Sequence, residues 1–477
     1  MSKKEKLKNK ELYSAGLKDE QLIQLAGKLF KKFHKGKKGI SKRDFLSDIK
    51  SLINHPDEFK NTYLAELAKK VGTAAGSPKK APPEEPSGPI RPLDTPKKFS
   101  SYGEEAIEPD TFKQMEDAMR LPIAETGALM PDAHVGYGLP IGGVLATKKH
   151  IVIPYAVGMD IACRMCMSIF DPGEDWLRQN YRHLRNALIS NTVFGNNSGS
   201  NKKDHPVLEE STWDSSGFIK QLKTKAARQL GSSGGGNHFV EWGILDLQQD
   251  GEFPELKKGK YLALLSHSGS RGLGANIAQH FSKLAKEKTP LPPPFNKLAW
   301  LDTRTEEGEQ YWEYMNLAGR YASACHHTIH EKIAADLGLR PVKMVENHHN
   351  FAWKDQLEDG REVIIHRKGA TPAGKDEEGI IPGSMTQTGF LVKGQGTAKA
   401  LRSAAHGAGR TLSRKKAKQI LNHDEVAKAL QENSVELIGG GLDEAPMAYK
   451  DINGVMEAQQ NLVRIAGKFY PRIVRMA

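Results

Sequence analysis

Cysteine is scarce in this chain of 477 residues: Cys163, Cys166 and Cys325 are the only three. Three cysteines are too few for a disulfide framework, so the sequence predicts a cytoplasmic protein in a reducing environment. The chain also lacks any run of about 18 apolar residues, which excludes an ordinary transmembrane helix and a membrane as partner. No apolar stretch follows the N-terminal MSKKEKLKNK, and we therefore expect no secretory signal peptide.

Acidic residues are under-represented in the first part of the chain. Residues 1–100 hold 23 Lys and Arg against 12 Asp and Glu, whereas residues 101–477 hold 46 against 45, so nearly all of the net charge of +12 is N-terminal. A basic segment beside a nearly neutral body suggests binding to a polyanion such as RNA. A solvated, Lys-rich helical segment explains the same charge, and both interpretations stay open.

Periodicity and composition divide the chain into three parts. Apolar residues at helical spacing predict a basic helical appendage over residues 1–71. Residues 72–96 are rich in Pro, Gly, Ala and Ser and are typical of a flexible linker. Over residues 97–477, short apolar runs alternate with helical stretches and glycine-rich turns, which predicts an α/β (α+β) domain.

Five glycine-rich clusters of the large domain carry side chains that bind metals or act as nucleophiles. They lie at residues 158–163, 234–238, 266–272, 346–350 and 406–410. Three histidines, at positions 238, 267 and 349, combine with Asp160 and Cys163 into a mixed nitrogen, oxygen and sulfur set for one or two divalent ions. Ligand chemistry alone does not select among Zn, Mn and Fe for this set.

Two further patterns resemble metal sites on their own. Cys163 and Cys166 form a CxxC pair, but the sequence has no second CxxC to complete a zinc site. His326, His327 and His330 lie in the predicted helix over residues 306–337, with His327 and His330 on one face. For this cluster a helix face packed against the body is favoured over a metal site.

Seven motifs then occur in one order along the chain: MPDAHVGYGLPIGG (130–143), VGMDIAC (157–163), GGGNHF (234–239), SHSGSRGLG (266–274), HRKGAT (366–371), IIPGSM (380–385) and HGAGR (406–410). Together they resemble the RtcB family of RNA ligases over about residues 100–477. The resemblance implies an RtcB-type fold with central sheets that line a metal and GTP cleft. Residues 1–96 lie outside the resemblance.

The resemblance implies an activity, cofactors and partners. RtcB enzymes use two Mn²⁺ ions and GTP to join an RNA 3′-phosphate or 2′,3′-cyclic phosphate end to a 5′-hydroxyl end, in tRNA splicing or RNA repair. The reaction passes through a guanylylated histidine and an RNA-3′-pp-guanosine intermediate. The expected partners are RNA with such ends and an activating protein such as archease.

Roles carry over to the matched positions. Cys163 matches the thiolate that bridges the two manganese ions, with Asp160 and His238 on one ion and His267 and His349 on the other. His406 matches the histidine that becomes guanylylated, and Arg271 and Arg410 are candidates to clamp phosphates. The GTP-binding positions are expected at Asn237, His238, Phe239, Val240, Glu241, His349, Asn350, Pro382, Gly383, Ser384, Met385, His406, Gly407, Ala408, Gly409 and Arg475.

Two positions depart from the family pattern near the expected base. Gly389 stands where the family has a serine that meets the guanine, and Arg475 takes the place of a lysine that contacts it. Arginine can still donate to guanine O6 or N7, although in a different geometry.

Three alternatives to an RNA ligase stay open from the residues. One is a repair enzyme that caps RNA 3′-phosphate ends without sealing them, and another is a metal-dependent phosphohydrolase. A non-catalytic RNA-binding protein is the third. His406 separates the second alternative from the ligase, because a hydrolase needs no covalent nucleotide.

Overall fold

A computed structural model describes residues 7–17, 20–34, 40–54, 56–74, 90–195 and 204–477. The chain divides into two compact units, residues 1–85 and 86–477. Residues 75–89 of the predicted linker lie outside the described residues, so the linker stays a prediction. Residues 90–96 belong to the larger unit, where the Leu93 amide donates to the Arg120 carbonyl (2.7 Å) and the Arg120 side chain donates back to the Leu93 carbonyl (2.7 Å).

The small unit is helical, as the apolar spacing predicts. Its helices are α1 (Asn9–Ser14), α2 (Glu20–Phe33), α3 (Lys42–Asn54) and α4 (Ala65–Ala74). The Ser41 hydroxyl accepts from the Asp44 amide (3.1 Å) and so caps the start of α3. The apolar faces meet in a core that includes the fully buried Phe45, Ile49 and Leu67.

The large unit is built on two sheets and two short strand pairs. Its strands are β1 (Ser100–Ser101), β2 (Ala124–His134), β3 (Ile141–Lys148), β4 (Ile151–Val152), β5 (Arg164–Phe170), β6 (Phe239–Leu247), β7 (Gly259–Ser268), β8 (Leu301–Asp302), β9 (Lys343–His348), β10 (Asn350–Gln356), β11 (Glu362–Lys368), β12 (Ala370–Pro372), β13 (Glu378–Ile381), β14 (Gly389–Gly394), β15 (Ser403–Ala405), β16 (Glu436–Ile438) and β17 (Val463–Met476). One sheet runs β1-β2-β3-β11-β10, and the larger runs β13-β14-β17-β6-β7-β5-β9 with β16 beside β17. Strand β4 pairs with β8, and β12 with β15.

Helices pack against both sheets and fill the space around them. They are α5 (Pro109–Met119), α6 (Pro154–Val157), α7 (Glu174–Gln179), α8 (Tyr181–Asn191), α9 (Gly217–Gln229), α10 (Arg271–Lys288), α11 (Glu306–Asp336), α12 (Arg414–Ile420), α13 (His423–Glu432) and α14 (Ile452–Glu457). Helix α11 packs against β5, β7 and α10. The mixed architecture with an N-terminal helical unit confirms the predicted fold class.

Strand β5 shows why the sheet has two different sides. All of its residues are buried. Because side chains alternate along a strand, Met167 and Ile169 pack with Leu265 on one face, whereas Phe170 packs with Ile329 of α11 on the other. A strand with both faces covered reads as a continuous apolar run, which is how RMCMSIF appears in the sequence.

Membrane-spanning helices are absent from the described residues. No helix among them has both the length and the apolar character needed to cross a bilayer.

Candidate metal centre and adjoining pocket

One edge of the larger sheet collects the predicted metal ligands. Strand β5 begins directly after Cys163, and its first residue, Arg164, pairs with the last residue of β7 and with the last residue of β9. Because β5 runs antiparallel to both neighbours, its start lies beside their ends. This register brings Cys163 next to His267 on β7 and to His349, which follows β9.

The loop before β6 supplies a further predicted ligand, His238. Phe239, the first residue of β6, pairs with His267, so His238 reaches the same edge of the sheet. The Cys163 Sγ lies 3.1 Å from His267 Nε2 and 3.4 Å from His238 Nε2. His238 Nε2 in turn lies 3.1 Å from Asp160 Oδ2, and His267 Nε2 lies 3.3 Å from His349 Nε2.

These residues form two donor groups with one shared atom. The first group is Asp160, Cys163 and His238, and the second is Cys163, His267 and His349; in each, one donor atom per residue lies within 4.8 Å of the others. The arrangement therefore brings together all five predicted metal ligands. A thiolate common to two groups is able to bridge two ions.

Burial keeps the imidazoles of His267 and His349 and the thiol of Cys163 in their neutral forms. His267 Nδ1 contacts the Asn237 carbonyl at 3.0 Å and donates to it, which leaves the Nε2 lone pair directed at Cys163 and His349. Burial lowers the pKa of His267 to about 3 and holds that of His349 well below its usual value, so both rings are neutral. Burial and the Asp160 carboxylate raise the pKa of the Cys163 thiol. A bound divalent ion would favour the thiolate form of Cys163, and it would bind both imidazoles in their neutral form.

Asn350 holds the loop that carries Asp160. Its Nδ2 donates to the Asp160 carbonyl (3.2 Å) and its Oδ1 accepts from the Gly369 amide (2.8 Å). The expected contact of Asn350 with the nucleotide stays a prediction.

A pocket opens beside the second donor group and collects most of the remaining predicted residues. It is lined by Asn237, Phe239, Glu241, His349, Pro382, Gly383, Ser384, Met385, His406, Gly407, Ala408, Gly409 and Arg410, among others. The buried Ser384 hydroxyl has no hydrogen-bond partner among the described residues. Burial raises the pKa of the Glu241 carboxyl well above its usual value. Polar groups of this kind at the wall of a pocket fit a polar ligand.

His406 lies at the junction of the pocket and the metal centre. Its ring centroid is 4.9 Å from that of His349. Its Nδ1 lies 2.6 Å from Oδ2 of the fully buried Asp132, which also accepts from the His406 amide (3.1 Å). An Nδ1–H donated to Asp132 leaves the Nε2 lone pair free for nucleophilic attack.

The glycine turn after His406 packs tightly against the same aspartate. Gly409 has a φ of +73°, and a β-carbon at this position would lie 2.2 Å from the Asp132 carbonyl oxygen. Only glycine combines this backbone conformation with so close an approach. The HGAGR motif therefore fixes the distance between His406 and Asp132 through its backbone.

Arg475 lies on the strand face opposite to the pocket. Strand β17 contains a bulge between Pro471 and Ile473, which reverses the faces of the residues that follow. Val474 and Met476 line the pocket, while Arg475 on the opposite face donates to the Leu188 carbonyl (2.5 Å). The expected contact of Arg475 with the base stays a prediction, and it would require the side chain to leave the Leu188 carbonyl.

Two of the predicted nucleotide-binding residues around β6 do not line the pocket. Phe239 and Glu241 line the pocket, whereas the alternating Val240 is buried in the core beneath Trp242 and Leu264. His238 belongs to the first donor group and does not line the pocket.

The two candidate phosphate clamps hold protein loops. Arg271 donates to the Gly195 carbonyl (2.7 Å) and to Ser232 Oγ (3.3 Å). Arg410 lines the pocket, but its guanidinium donates to Glu444 Oε2 and to the Tyr449 hydroxyl, each at 3.1 Å. Both arginines thus have structural partners, and their role as clamps stays a prediction.

Several residues in and near the site were not predicted from the sequence. Asp132 and His134 lie within the matched MPDAHVGYG stretch, which was the available signal, and His134 lines the pocket. Arg414, four positions after Arg410, also lines it and donates to Asn237 Oδ1 (3.4 Å). Lys368 of HRKGAT donates to the Tyr137 carbonyl, and burial lowers its pKa to about 7.

Comparison with known proteins gives one consistent result. The model of the RtcB family, described as tRNA-splicing ligase RtcB, matches residues 114–476. The RNA-splicing ligase RtcB of Escherichia coli strain K12 is 33% identical over 390 residues, which cover 75% of this chain and 92% of that protein. The tRNA-splicing ligase RtcB of Nanoarchaeum equitans is 30% identical, covering 77% of this chain and 92% of the relative, and that of Thermococcus kodakarensis is 29% identical, covering 73% and 86%.

Replacing Cys163 with alanine is expected to remove manganese from both donor groups, because its sulfur belongs to each of them. His349→Ala should spare the group around Asp160 and so retain more metal. Elemental analysis of manganese-loaded protein after gel filtration measures the difference. Cys325→Ala, which removes another buried cysteine, is the control. Full manganese content in Cys163→Ala would contradict the shared sulfur.

Gly409→Ala is expected to lower the free energy of unfolding by about 1–3 kcal/mol, since it combines backbone strain with a clash against Asp132. Urea unfolding followed by circular dichroism measures the loss. Gly251→Ala is the matched control, because Gly251 has a φ of +81° but no atom within 4 Å of the added β-carbon. Equal losses in the two variants would show that the close approach to Asp132 is unimportant.

Proposed function

The chain belongs to the RtcB family of RNA-splicing ligases, and from this premise we propose that it joins an RNA 3′-phosphate or 2′,3′-cyclic phosphate end to a 5′-hydroxyl end, using GTP and manganese. One observation carries the proposal. The imidazole of His406 is hydrogen-bonded to Asp132 through Nδ1, and its ring lies 4.9 Å from that of His349 in a donor group built around Cys163.

His406 is the nucleophile of the first step. As a neutral imidazole it attacks the α-phosphorus of GTP through Nε2, so that a P–N bond forms and the P–O bond to pyrophosphate breaks. The ring gains positive charge during the attack. The carboxylate of Asp132, at 2.6 Å, stabilises that charge and holds the reactive tautomer.

The five predicted metal ligands would hold the manganese ions. Asp160, Cys163 and His238 would supply one site, and Cys163, His267 and His349 would supply the other. Bound manganese would offset the charge of the phosphate oxygens and orient them for in-line displacement. The hydrogen bond from His267 to the Asn237 carbonyl keeps its Nε2 free for the metal.

The remaining steps use the same pocket. Water first opens a 2′,3′-cyclic phosphate end to a 3′-phosphate with a free 2′-hydroxyl. The guanylyl group passes from His406 to the RNA 3′-phosphate, which regenerates the imidazole and gives RNA-3′-pp-guanosine. The RNA 5′-hydroxyl then attacks the activated phosphate, and GMP leaves. Ser384, Glu241 and the Gly407–Gly409 turn are the groups that we assign to the nucleotide.

A phosphohydrolase accounts for less of this site. The two donor groups alone would serve hydrolysis, but a hydrolase needs no covalent nucleotide and so no pocket that places a nucleotide beside the His406–Asp132 pair. An activating protein such as archease and a cytoplasmic location stay predictions.

His406→Ala is expected to abolish the covalent guanylyl adduct, because no other imidazole that lines the pocket contacts the Asp132 carboxylate. Asp132→Asn should lower the rate of adduct formation by roughly 10²–10⁴-fold, since the amide neither fixes the tautomer nor stabilises the charge. Incubation with labelled GTP and manganese, followed by denaturing electrophoresis, measures the adduct. His183→Ala, at an exposed position on α8, is the control. Undiminished label in His406→Ala would assign the nucleophile to another residue.

The N-terminal unit is expected to contribute to RNA binding and not to chemistry. A variant that begins at residue 86 should form the adduct at the rate of the full chain, because every residue of the site lies beyond that point. It should bind RNA more weakly and with a shallower salt dependence, by about 0.7 in log–log slope for each lost phosphate contact to a single strand. Fluorescence anisotropy at several salt concentrations tests this, and identical affinities and slopes would show that the basic unit does not bind RNA.

A further inference from the structure

A second buried cluster of metal-binding side chains lies beneath the metal centre. Cys166 is on β5 and faces away from the pocket, because the preceding residue, Met165, lines the pocket. Helix α11 covers this face of the sheet and contributes His326 and His330 at helical i, i+4 spacing. Cys166 and His326 are fully buried, and His330 is 1% exposed.

The three side chains converge on one point. The Cys166 sulfur and one nitrogen from each imidazole lie within 4.8 Å of one another. The Ser266 hydroxyl, from the position opposite Cys166 on β7, lies 2.6 Å from His326 Nδ1 and 2.7 Å from His330 Nε2. One sulfur, two nitrogens and one oxygen therefore lie together in a buried cluster, in which the hydroxyl hydrogen-bonds to both imidazoles.

The surrounding hydrogen bonds orient His330 toward this position. Its Nδ1 lies 2.7 Å from the Ser168 hydroxyl, the kind of outer contact that directs the Nε2 lone pair of a ligating histidine inward. His326 Nε2 is buried and has no hydrogen-bond partner among the described residues. Burial lowers the pKa of both rings, that of His330 to about 3, so both offer lone pairs.

We propose that Cys166, His326 and His330 bind one Zn²⁺ ion, with Ser266 Oγ as the oxygen donor nearest the fourth position. Thiolate with imidazole is a zinc donor set, and structural zinc sites are buried and four-coordinate. Binding releases one proton from the Cys166 thiol, and both imidazoles bind in their neutral form.

The site explains two patterns that the sequence left unassigned. Cys163 and Cys166 do not form one CxxC site, because they reach opposite faces of the sheet and belong to different clusters. His327 lies outside the cluster, with its Nε2 3.4 Å from Glu346 Oε2. The inward pair on α11 is therefore His326 and His330, not the expected His327 and His330.

A zinc ion at this position would fasten α11 to β5 and β7. Cys163 directly precedes β5, and His267 lies near the end of β7. The zinc would therefore stabilise the strands that position the candidate metal centre, without taking part in its chemistry. The inference does not depend on the proposed ligase activity.

Cobalt spectroscopy of the full-length Cys163→Ser variant tests the proposal. The variant is produced in zinc-depleted medium with added Co²⁺, and the serine removes the sulfur of the other metal centre. We expect about one cobalt per chain with a thiolate-to-cobalt charge-transfer band in the near ultraviolet. Absence of that band would overturn the site and leave a purely hydrogen-bonded cluster.

Two double variants assign the sulfur. The band should persist in Cys163→Ser/Cys325→Ser, which leaves Cys166 as the only cysteine, and should disappear in Cys163→Ser/Cys166→Ser. The first of these decides the question even if the second does not fold. Loss of the band with Cys325→Ser would assign the ligand to Cys325 and refute the proposal. Loss of ligase activity alone affects neither result, because the readout is spectroscopic.

Discussion

The sulfur of Cys163 is the atom on which the arrangement of the site depends. It lies 3.1 Å from one imidazole nitrogen and 3.4 Å from another, and it belongs to both donor groups. Without a cation, these buried lone pairs repel one another and the thiol keeps its proton. The antiparallel register of β5 with β7 and β9 holds the donors together against that repulsion. The rest of the larger sheet, and the helix packed beneath it, supply the rigidity that this register needs.

The candidate nucleophile, His406, is held by a residue of the smaller sheet. Asp132 lies near the end of β2, where it is fully buried, and the turn that carries His406 folds back onto it. The candidate reaction therefore takes place where two independently built edges meet, one with the metal ligands and one with the His406–Asp132 pair. The pocket between them is lined by residues from both.

The sequence predicts the candidate metal ligands and most of the pocket residues. These residues lie in short glycine-rich motifs that can be recognised without knowledge of the fold. The sequence does not predict the His406–Asp132 contact, since the partners are 274 positions apart and only the packing of the glycine turn joins them. It also does not predict the orientation of Arg475, because one extra residue in the bulge of β17 exchanges the two faces of the strand and no residue pattern reveals that insertion. Cys166 and the α11 histidines are two weak signals in sequence that become one cluster only when the helix covers the sheet.

The proposed reaction of this site seals RNA and keeps the 3′-phosphate in the product. The direct measurement uses an RNA with a labelled 3′-phosphate and a second RNA with a 5′-hydroxyl, incubated with the full-length protein, GTP and manganese. We expect a longer RNA in which the label resists phosphatase, because the labelled phosphate has become the junction between the two RNAs. Release of the label as inorganic phosphate would contradict RNA joining and identify the protein as a phosphohydrolase.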